Sequence, residues 1–454
     1  MHSVSKTSKH HPSLPGDILL QVFSQLDFET RRQVLPVVCK RWRDELAGAS
    51  PAWQIMKFQA GKFDEYHKII RWLKQHGDAA LELDAAFSRY PEQPEPEVQS
   101  RSWTQYLHGA NILPALLPNL QHLKLSCEKS FMVAERDLFS LQILTGLQKL
   151  RLVIASDASW NVDTLSPLEH LTALQQLYME VKDLGSGPMF LAPGLSKLTL
   201  LTSLSLRQAL SQQPDHIYDP YHAGGVIACL TGLQQLSLLG VIDRIPNAFS
   251  NLQHLRTLTV GGHGEEWPGF SVQPSISSCR KLEYLELQYF TAVAEAGWLD
   301  AWSALSGLQS LSDIFLESVD LDELASSEWA FGSSLTYLRI GSGYLENFPE
   351  ALISLTSIRD LGFDMTNLEN MLELPVGPYL QHLTSLDLCD TKLAAFPEAL
   401  SQASKLKRLC LFNDEDWFDI SRLEAILPKL CVVDVIQVNS EPEEAAVIDS
   451  AQGI

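Results

Sequence analysis

The chain has 454 residues, of which 45% are hydrophobic and 20% charged, and these fractions are typical of a folded globular protein. Its formal net charge of -21 argues against a general nucleic-acid-binding protein, which would need an excess of lysine and arginine. The chain is too long for one ordinary core, but a structure that grows by adding repeats has no such limit.

Residues 1–13 are polar and lack the apolar core of a signal peptide, so we expect a disordered amino terminus. The chain contains no uncharged apolar run of about 18 residues, which predicts no membrane association. Its seven cysteines are scattered, with no C-x-x-C pair. This pattern favours reduced thiols over a disulfide framework or a zinc site, and it predicts a cytoplasmic or nuclear protein.

Residues 14–53 predict three short helices. Pro15 suits a first helical turn, where its missing N–H costs nothing. Apolar residues from Ile18 to Leu26 recur at helical spacing, and Pro36 must end or kink the second helix. Three such helices form a very small core, and a unit of this size is expected to need a partner that covers its apolar faces.

The segment resembles an F-box in Leu14-Pro15, in Val38-Cys-Lys-Arg-Trp42 and in the closing Pro51-Ala-Trp53. It departs from the family at residues 31–33, where polar side chains stand in place of an apolar second helix. The resemblance implies docking on the Skp-type adaptor of a cullin-RING ubiquitin ligase. The residues that it places at or just beneath this interface are Leu14, Pro15, Ile18, Leu19, Val22, Phe23, Leu26, Val38, Cys39 and Trp42. The alternative is a helical cap for the repeats that follow.

Residues 54–118 are less regular and predict a connecting helix, which ends near Gly77, and an atypical first repeat with a strand at Leu81–Leu83. From residue 119 to 438 the pattern L-x-x-L-x-L recurs at intervals of 22 to 32 residues. This interval and pattern are typical of leucine-rich repeats. The central apolar residues of the thirteen repeats are Leu123, Leu150, Leu177, Leu204, Leu236, Leu258, Leu285, Ile314, Leu338, Leu361, Leu386, Leu409 and Val433.

The predicted fold class is therefore α/β, with a three-helix F-box followed by a horseshoe-shaped solenoid that has a concave parallel sheet. Within each repeat the leucines alternate with polar residues, so the leucines face the core and their neighbours face outward. The early 27-residue repeats leave room for a return helix of several turns. Residues 439–454 are acidic and predict a disordered tail.

The outward positions predict two surfaces of different character. The later repeats combine carboxylates with aromatic residues, which suits a basic segment of a protein partner, and we take this as the principal substrate site. Its residues are Tyr284, Glu286, Asp313, Phe315, Glu317, Tyr337, Asp360, Asp364 and Asp387. The early repeats are basic and could hold an anionic cofactor or a phosphorylated motif. This second patch consists of Lys124, Lys149, Arg151 and Arg207. The alternative for both surfaces is a solvated sheet whose charges have no partner.

The sequence contains no phosphate-binding loop, no metalloprotease or hydrolase motif and no zinc-ligand spacing. We therefore expect a non-enzymatic interaction protein, which uses no cofactor or metal. It would recruit an unidentified protein substrate to a Skp–cullin–RING ubiquitin ligase, without nucleic acid or membrane. The alternatives are a receptor on the same scaffold that depends on a small molecule or an anion, and a repeat scaffold unrelated to ubiquitin.

Overall fold

The computed structural model describes most of the repeat array and single positions of the amino-terminal segment. The described residues are 53–60, 71–87, 116–127, 140–155, 165–184, 191–210, 220–242, 246–261, 274–290, 311–319, 333–341, 348–364, 374–388, 398–413, 426–427 and 432–437, with single positions within 19–42 and 305–310. The chain divides into two compact units, Met1–Val241 and Ile242–Ile454. The expected disordered termini lie outside the described residues.

In the first unit, the described residues form seven strands, and each strand pairs in parallel with the next along the chain. The strands are β1 Ile55–Ala60, β2 Glu82–Phe87, β3 His122–Cys127, β4 Lys149–Ala155, β5 Gln176–Leu184, β6 Ser203–Leu210 and β7 Gln235–Leu239. The parallel sheet thus already includes two strands within the segment 54–118, one of which, β1, the repeat pattern did not predict.

In the second unit, the described residues form eight further parallel strands. They are β8 Thr257–Gly261, β9 Tyr284–Phe290, β10 Asp313–Val319, β11 Tyr337–Gly341, β12 Asp360–Asp364, β13 Ser385–Leu388, β14 Arg408–Asn413 and β15 Val432–Gln437. Parallel strands joined by short returns at the predicted interval confirm a leucine-rich-repeat solenoid.

Burial alternates along the strands as the sequence predicts. On β4, Leu150 and Leu152 are buried, whereas Lys149 and Arg151 are exposed. Leu285 of β9 is also fully buried. Because side chains on a strand point alternately to opposite faces, one face of each sheet carries the leucine core and the other, here called the open face, carries the polar residues.

The described parts of the returns contain 3₁₀ turns, whereas the expected helices of the early repeats fall largely outside the described residues. Leucines recur every third residue, as in Leu165, Leu168 and Leu171. The N–H groups of Leu168 and Leu171 donate to the carbonyls of Leu165 and Leu168. A 3₁₀ turn has three residues per turn, so this spacing keeps every leucine on the buried side. The 3₁₀ turns are Gly77–Ala79, Ser140–Ile143, Ser166–His170, Pro193–Lys197, Asn247–Asn251, Pro274–Ser278, Pro378–Gln381 and Glu398–Gln402.

α-Helices are few in the described part of the chain. Residues 71–76 are helical, as the sequence predicts. The other helices are α1 Leu35–Val38, α2 Pro220–Cys229 and α3 Glu350–Ile353. Pro36 lies in the first turn of α1, where its missing N–H is tolerated. Among the helices that the structure describes, only α2 reaches ten residues, and it belongs to the longest repeat, between Leu204 and Leu236.

Neighbouring repeats are also joined just before each strand. The N–H groups of Gln148 and Lys149 both donate to the carbonyl of Gln121, at 2.7 and 3.0 Å. The same pairing recurs two repeats later, where Thr202 adds a side-chain bond from Oγ1 to the carbonyl of Gln175 at 3.1 Å. These bonds satisfy backbone groups that would otherwise be unpaired where each strand begins.

Trp53 packs against the beginning of the array. It is buried, and its ring lies 4.9 Å from that of Trp72 and 5.1 Å from that of His76. Burial lowers the pKa of His76. At Gly77 the backbone of Leu116 approaches closely, since a Cβ at position 77 would lie 1.9 Å from the carbonyl oxygen of Leu116. The sequence placed Trp53 at the end of the F-box, so its packing is a finding of the structure.

The cysteines depart from the expected uniform reduced state. Cys229 and Cys279 are free thiols, the first exposed and the second buried. Cys410, on β14, is disulfide-bonded, which contradicts the prediction that all seven cysteines are reduced. In the part of the chain that the structure describes, no helix has the length and apolar character needed to cross a membrane.

Candidate functional site

The described positions of the F-box-like segment combine a small core with an exposed apolar surface. Phe23 is buried and packs edge-on against Trp42, with ring centroids 5.2 Å apart. Leu19 is also buried. Leu19 and Phe23 therefore lie beneath the surface rather than on it. Leu14, Pro15, Ile18 and Cys39 lie outside the described residues, and Leu26 is half-buried.

Among the described positions of this segment, four valines are exposed. Val37 is 79% exposed, Val38 53%, Val22 50% and Val34 49%. Val34, Val37 and Val38 follow helical spacing, and exposed apolar side chains at this spacing make a candidate surface for contact with a partner. Sequence reasoning identified Val22 and Val38 but missed Val34 and Val37. The helical spacing of Val34, Val37 and Val38 could have predicted them, but the polar residues 31–33 stand just before it.

The open face of the first unit carries a groove of about 350 Å³. It extends from β2 to β6, and the parallel register aligns its side chains in rows across the strands. The polar residues that line it are Glu82, His122, Lys124, Lys149, Arg151, Gln176, Tyr178, Ser203 and Ser205. Three cations of the predicted basic patch thus lie together, whereas Arg207 is not part of the lining.

The centre of the groove is held by contacts between neighbouring strands. The guanidinium carbon of Arg151 lies 3.8 Å from the centroid of the Tyr178 ring. The Tyr178 hydroxyl donates to Glu180 Oε2 at 2.7 Å, and Glu180 also pairs with Lys182 at 3.4 Å. Burial and the bond to Glu180 raise the pKa of Tyr178, so its hydroxyl stays protonated and donates at neutral pH. These contacts fix the position of the Arg151 guanidinium.

Glu180 is kept ionised by its neighbours. Burial by itself would raise its pKa, but the hydrogen bond from Tyr178 and the charges of Lys182 and Arg207 outweigh burial and hold that pKa below its ordinary value. Arg207 therefore acts on this carboxylate from the third row of side chains, where the register places it opposite Glu180. The β6 residues that line the groove are Ser203 and Ser205.

At one edge of the groove, the basic side chains are paired with carboxylates. Lys124 Nζ donates to Asp84 Oδ2 at 2.9 Å, and His122 Nδ1 lies 3.6 Å from Glu82 Oε2. Lys149 and Arg151, by contrast, form no ion pair with any described residue. The positive charge of the groove that is not already neutralised therefore belongs to β4.

The open face of the second unit brings together most of the predicted acidic-aromatic residues. Register aligns Tyr284, Asp313, Tyr337 and Asp360 in one row on β9 to β12, and Glu286, Phe315 and Asp387 in the next row of positions. Glu317 and Asp364 occupy the expected strand positions, but their side chains lie outside the described part of the structure.

Internal contacts neutralise or satisfy several of these carboxylates. Glu286 accepts hydrogen bonds from Thr259 Oγ1 at 2.9 Å, from the Tyr284 hydroxyl at 3.0 Å and from the Gln288 amide. Burial, with the neighbouring Glu286 and Asp313, holds the pKa of Tyr284 well above its usual range. Glu286 is therefore a structural acceptor more than a free binding group.

Arg339 crosses this acidic surface. Its Nη2 lies 3.5 Å from Asp387 Oδ2, two strands away, and it passes over Gly362 of the strand between them. A Cβ at Gly362 would lie 3.1 Å from Arg339 Cγ and 3.3 Å from Arg339 Nε, so glycine leaves room for this crossing. Asp387 is therefore already paired, whereas Asp313 and Asp360 form no ion pair with a described residue. Among the described residues, no cluster of His, Cys, Asp or Glu could hold a metal ion.

Comparison with known proteins supports the two parts separately. Residues 11–50 match the family model described as F-box-like. No curated protein sequence matches the chain.

Three solved structures illustrate the likeness of the repeat region. The structure of TLR13 in complex with ssRNA13 shares 19% identity at a TM-score of 0.50, over 85% of this chain and 51% of that chain. An internalin from Listeria monocytogenes shares 17% identity at a TM-score of 0.49, over 82% and 94% of the two chains. A leucine-rich-repeat protein from Leptospira interrogans shares 15% at 0.41, over 83% and 99%. These likenesses concern the fold alone. The chain thus combines an F-box-like segment with leucine-rich repeats.

Proposed function

We propose that the chain is a substrate receptor of a Skp–cullin–RING ubiquitin ligase, active in the cytoplasm or nucleus. An F-box-like segment and a leucine-rich-repeat array are typical of non-catalytic adaptors. The segment would bind the Skp-type adaptor, and the open faces of the repeats would bind the substrate. Such a receptor accelerates modification by raising the effective concentration of substrate near the ligase, without a covalent role for its own residues.

The exposed valines of the F-box-like segment carry this proposal. Val22, Val34, Val37 and Val38 lie within the matched residues 11–50, and all are about half exposed or more. Leaving four large apolar side chains in water is unfavourable, and burying them against a partner would recover roughly 25 cal/mol for each Å² removed from water. An adaptor that covers these valines would account for their exposure.

Co-expression with the Skp-type adaptor and size-exclusion chromatography test this proposal. We expect wild type to elute with the adaptor and Val37→Asp to elute without it, because a carboxylate in the apolar interface would lose its hydration. Val376→Asp is the matched control, since Val376 is a 59% exposed valine in the second unit. This control should keep the adaptor. Co-elution of Val37→Asp at wild-type levels would remove the basis of the proposal.

The principal substrate site under this proposal is the acidic-aromatic surface of the second unit. Asp313 and Asp360 flank Tyr337 on adjacent strands, and neither carboxylate has an ion-pair partner among the described residues. The guanidinium carbon of Arg339 lies 6.0 Å from the centroid of the Tyr337 ring. A lysine or arginine of a substrate that lies beside Arg339 could pair with Asp313 and Asp360. Glu286 and Asp387, being satisfied internally, would support this surface.

Charge reversal tests the substrate site independently of the adaptor. We expect Asp313→Lys with Asp360→Lys to recover less protein substrate by affinity purification, while adaptor recovery stays unchanged. The control is Glu350→Lys with Glu398→Lys, which reverses two exposed carboxylates on return segments of the same unit. Equal recovery of partners by wild type and the Asp313/Asp360 variant would place the substrate elsewhere.

A further inference from the structure

The groove of the first unit contains two cations that the fold leaves available. Lys149 and Arg151 are exposed on β4, and they form no ion pair with a described residue. When Lys124, Asp84 and Glu82 are counted as well, the positive side chains still outnumber the negative ones in this region, although the net charge of the chain is -21. Such a local excess on an acidic chain selects an anionic ligand by charge complementarity.

The geometry of the groove favours a compact anion. Lys149 and Arg151 are two residues apart on one strand, so they project from the same face about 7 Å apart. Arg151 is held on the Tyr178 ring at 3.8 Å, and the Tyr178 hydroxyl is in turn fixed by Glu180 at 2.7 Å. A guanidinium positioned in this way loses little side-chain freedom on binding, and its planar donors match the oxygens of a phosphate.

Neutral donors line the groove on the strands that follow β4. Gln176 lies beside Lys149 in the register, and Ser205 lies beside Tyr178. Amide and hydroxyl groups at these positions can donate to anion oxygens that the two cations leave free. The volume of about 350 Å³ accommodates a phosphorylated side chain with its neighbouring peptide groups.

We propose that this groove binds the phosphate monoester of a phosphorylated serine or threonine in a protein partner. The inference rests on the proposed function, because it gives a substrate receptor a second recognition site with a defined chemistry. A nucleic acid is less well matched, since its many phosphates require a track of cations, whereas the available charge here is concentrated on β4.

Fluorescence anisotropy with labelled peptide libraries tests the phosphate site without the adaptor. The probes are a degenerate peptide library with a central phosphoserine, the same library with serine, and a single-stranded RNA oligonucleotide. We expect the full-length chain to prefer the phosphoserine library, and inorganic phosphate to compete. Arg151→Gln should weaken binding about 10- to 100-fold, the effect expected for a lost hydrogen bond between charged groups.

Two further variants separate geometry from total charge. Arg151→Lys keeps the positive charge but loses the planar guanidinium, so we expect a loss intermediate between wild type and Arg151→Gln. Lys197→Gln removes a cation of the same unit that is already paired with Glu169 at 3.0 Å, and it should leave binding unchanged. Circular dichroism should show the wild-type spectrum for all three variants.

The outcomes distinguish this inference from the proposed function. Equal binding of the serine and phosphoserine libraries would overturn the phosphate site, and so would binding of the RNA alone or equal losses from Lys197→Gln and Arg151→Gln. Because no adaptor is present, none of these results bears on adaptor docking. Val37→Asp, conversely, should bind the phosphoserine library as wild type does, even though it loses the adaptor.

Discussion

The open faces of the two units use charge in different ways. In the first unit, Lys149 and Arg151 project into a groove without an ion-pair partner among the described residues. In the second unit, Arg339 is paired with Asp387 at 3.5 Å, and Glu286 accepts three side-chain hydrogen bonds. The comparison teaches that the number of charges on a surface does not measure its capacity to bind, because a charge that is already satisfied contributes to stability instead.

The largest expected effect concerns what the two units share. Leu150 and Leu285 are both central inward leucines and both at most 1% exposed. We expect Leu150→Ala and Leu285→Ala each to reduce the free energy of unfolding by about 2–5 kcal/mol, since each leaves a cavity in a packed core. Urea titration followed by circular dichroism measures this. A neutral result for both would mean that the leucine register is wrong. Leu393, which the repeat skeleton places at the edge of this layer, lies outside the described residues.

The next expected effect is a difference in stability between replacing Arg339, which is ion-paired, and replacing Arg151, which has no ion pair with a described residue. Arg151 and Arg339 occupy the same outward row position in their respective units. Arg339→Ala should cost about 1–3 kcal/mol of stability, because it removes the ion pair between Arg339 and Asp387 in a partly buried site. Arg151→Ala should change stability by no more than about 0.5 kcal/mol, as is usual for an exposed residue. Equal costs in urea titration would contradict the contrast between the two faces.

A smaller effect should appear at alkaline pH. Burial raises the pKa of Tyr178 and, more strongly, that of Tyr284. The unfolded chain releases these protons near pH 10, whereas the folded chain retains them, so stability is present below pH 10 and falls as the pH rises above it. Ultraviolet titration of Tyr178→Phe and Tyr284→Phe assigns the transitions. Ionisation of Tyr284 before Tyr178 would contradict the tighter carboxylate environment of the second unit.

The smallest effect is one of reactivity rather than stability. Burial raises the pKa of the Cys279 thiol to about 12, whereas Cys229 is exposed. Because the thiolate is the reactive form, we expect iodoacetamide to modify Cys229 in the folded protein and Cys279 only after unfolding. Cys410 should react only after reduction. Peptide mass spectrometry measures all three. If Cys410 in protein isolated from the cytosol is labelled without prior reduction, its disulfide does not form in that compartment, where disulfides are rare.

The sequence predicted the strands because leucine spacing reports directly on burial. Lys149, Gln176 and Ser203 begin their strands as the repeat register requires. The spacing of Leu165, Leu168 and Leu171 likewise matches the 3₁₀ turn Ser166–His170. Length limits what can fit between two strands, whereas the period of the apolar residues determines which helix keeps them buried.

The pairing of charges could not be read from the sequence in the same way. Periodicity places Arg339 and Asp387 on one face, but their contact depends on the absence of a side chain at Gly362 between them. Trp53 was likewise assigned to the segment before it, although its partners Trp72 and His76 follow it in the chain. Such contacts depend on distances in three dimensions. The periodic spacing of residues along the sequence carries no information about those distances.

Quantitative affinity purification with mass spectrometry tests the receptor function most directly. Wild type is compared with Val37→Asp, with Lys149→Glu plus Arg151→Glu, and with Asp313→Lys plus Asp360→Lys. A substrate receptor should lose the Skp-type adaptor and the cullin only in Val37→Asp, and should lose other protein partners only in the charge-reversal variants. Recovery of adaptor and cullin by Val37→Asp at the wild-type level, or their absence from the wild-type sample, would contradict this function.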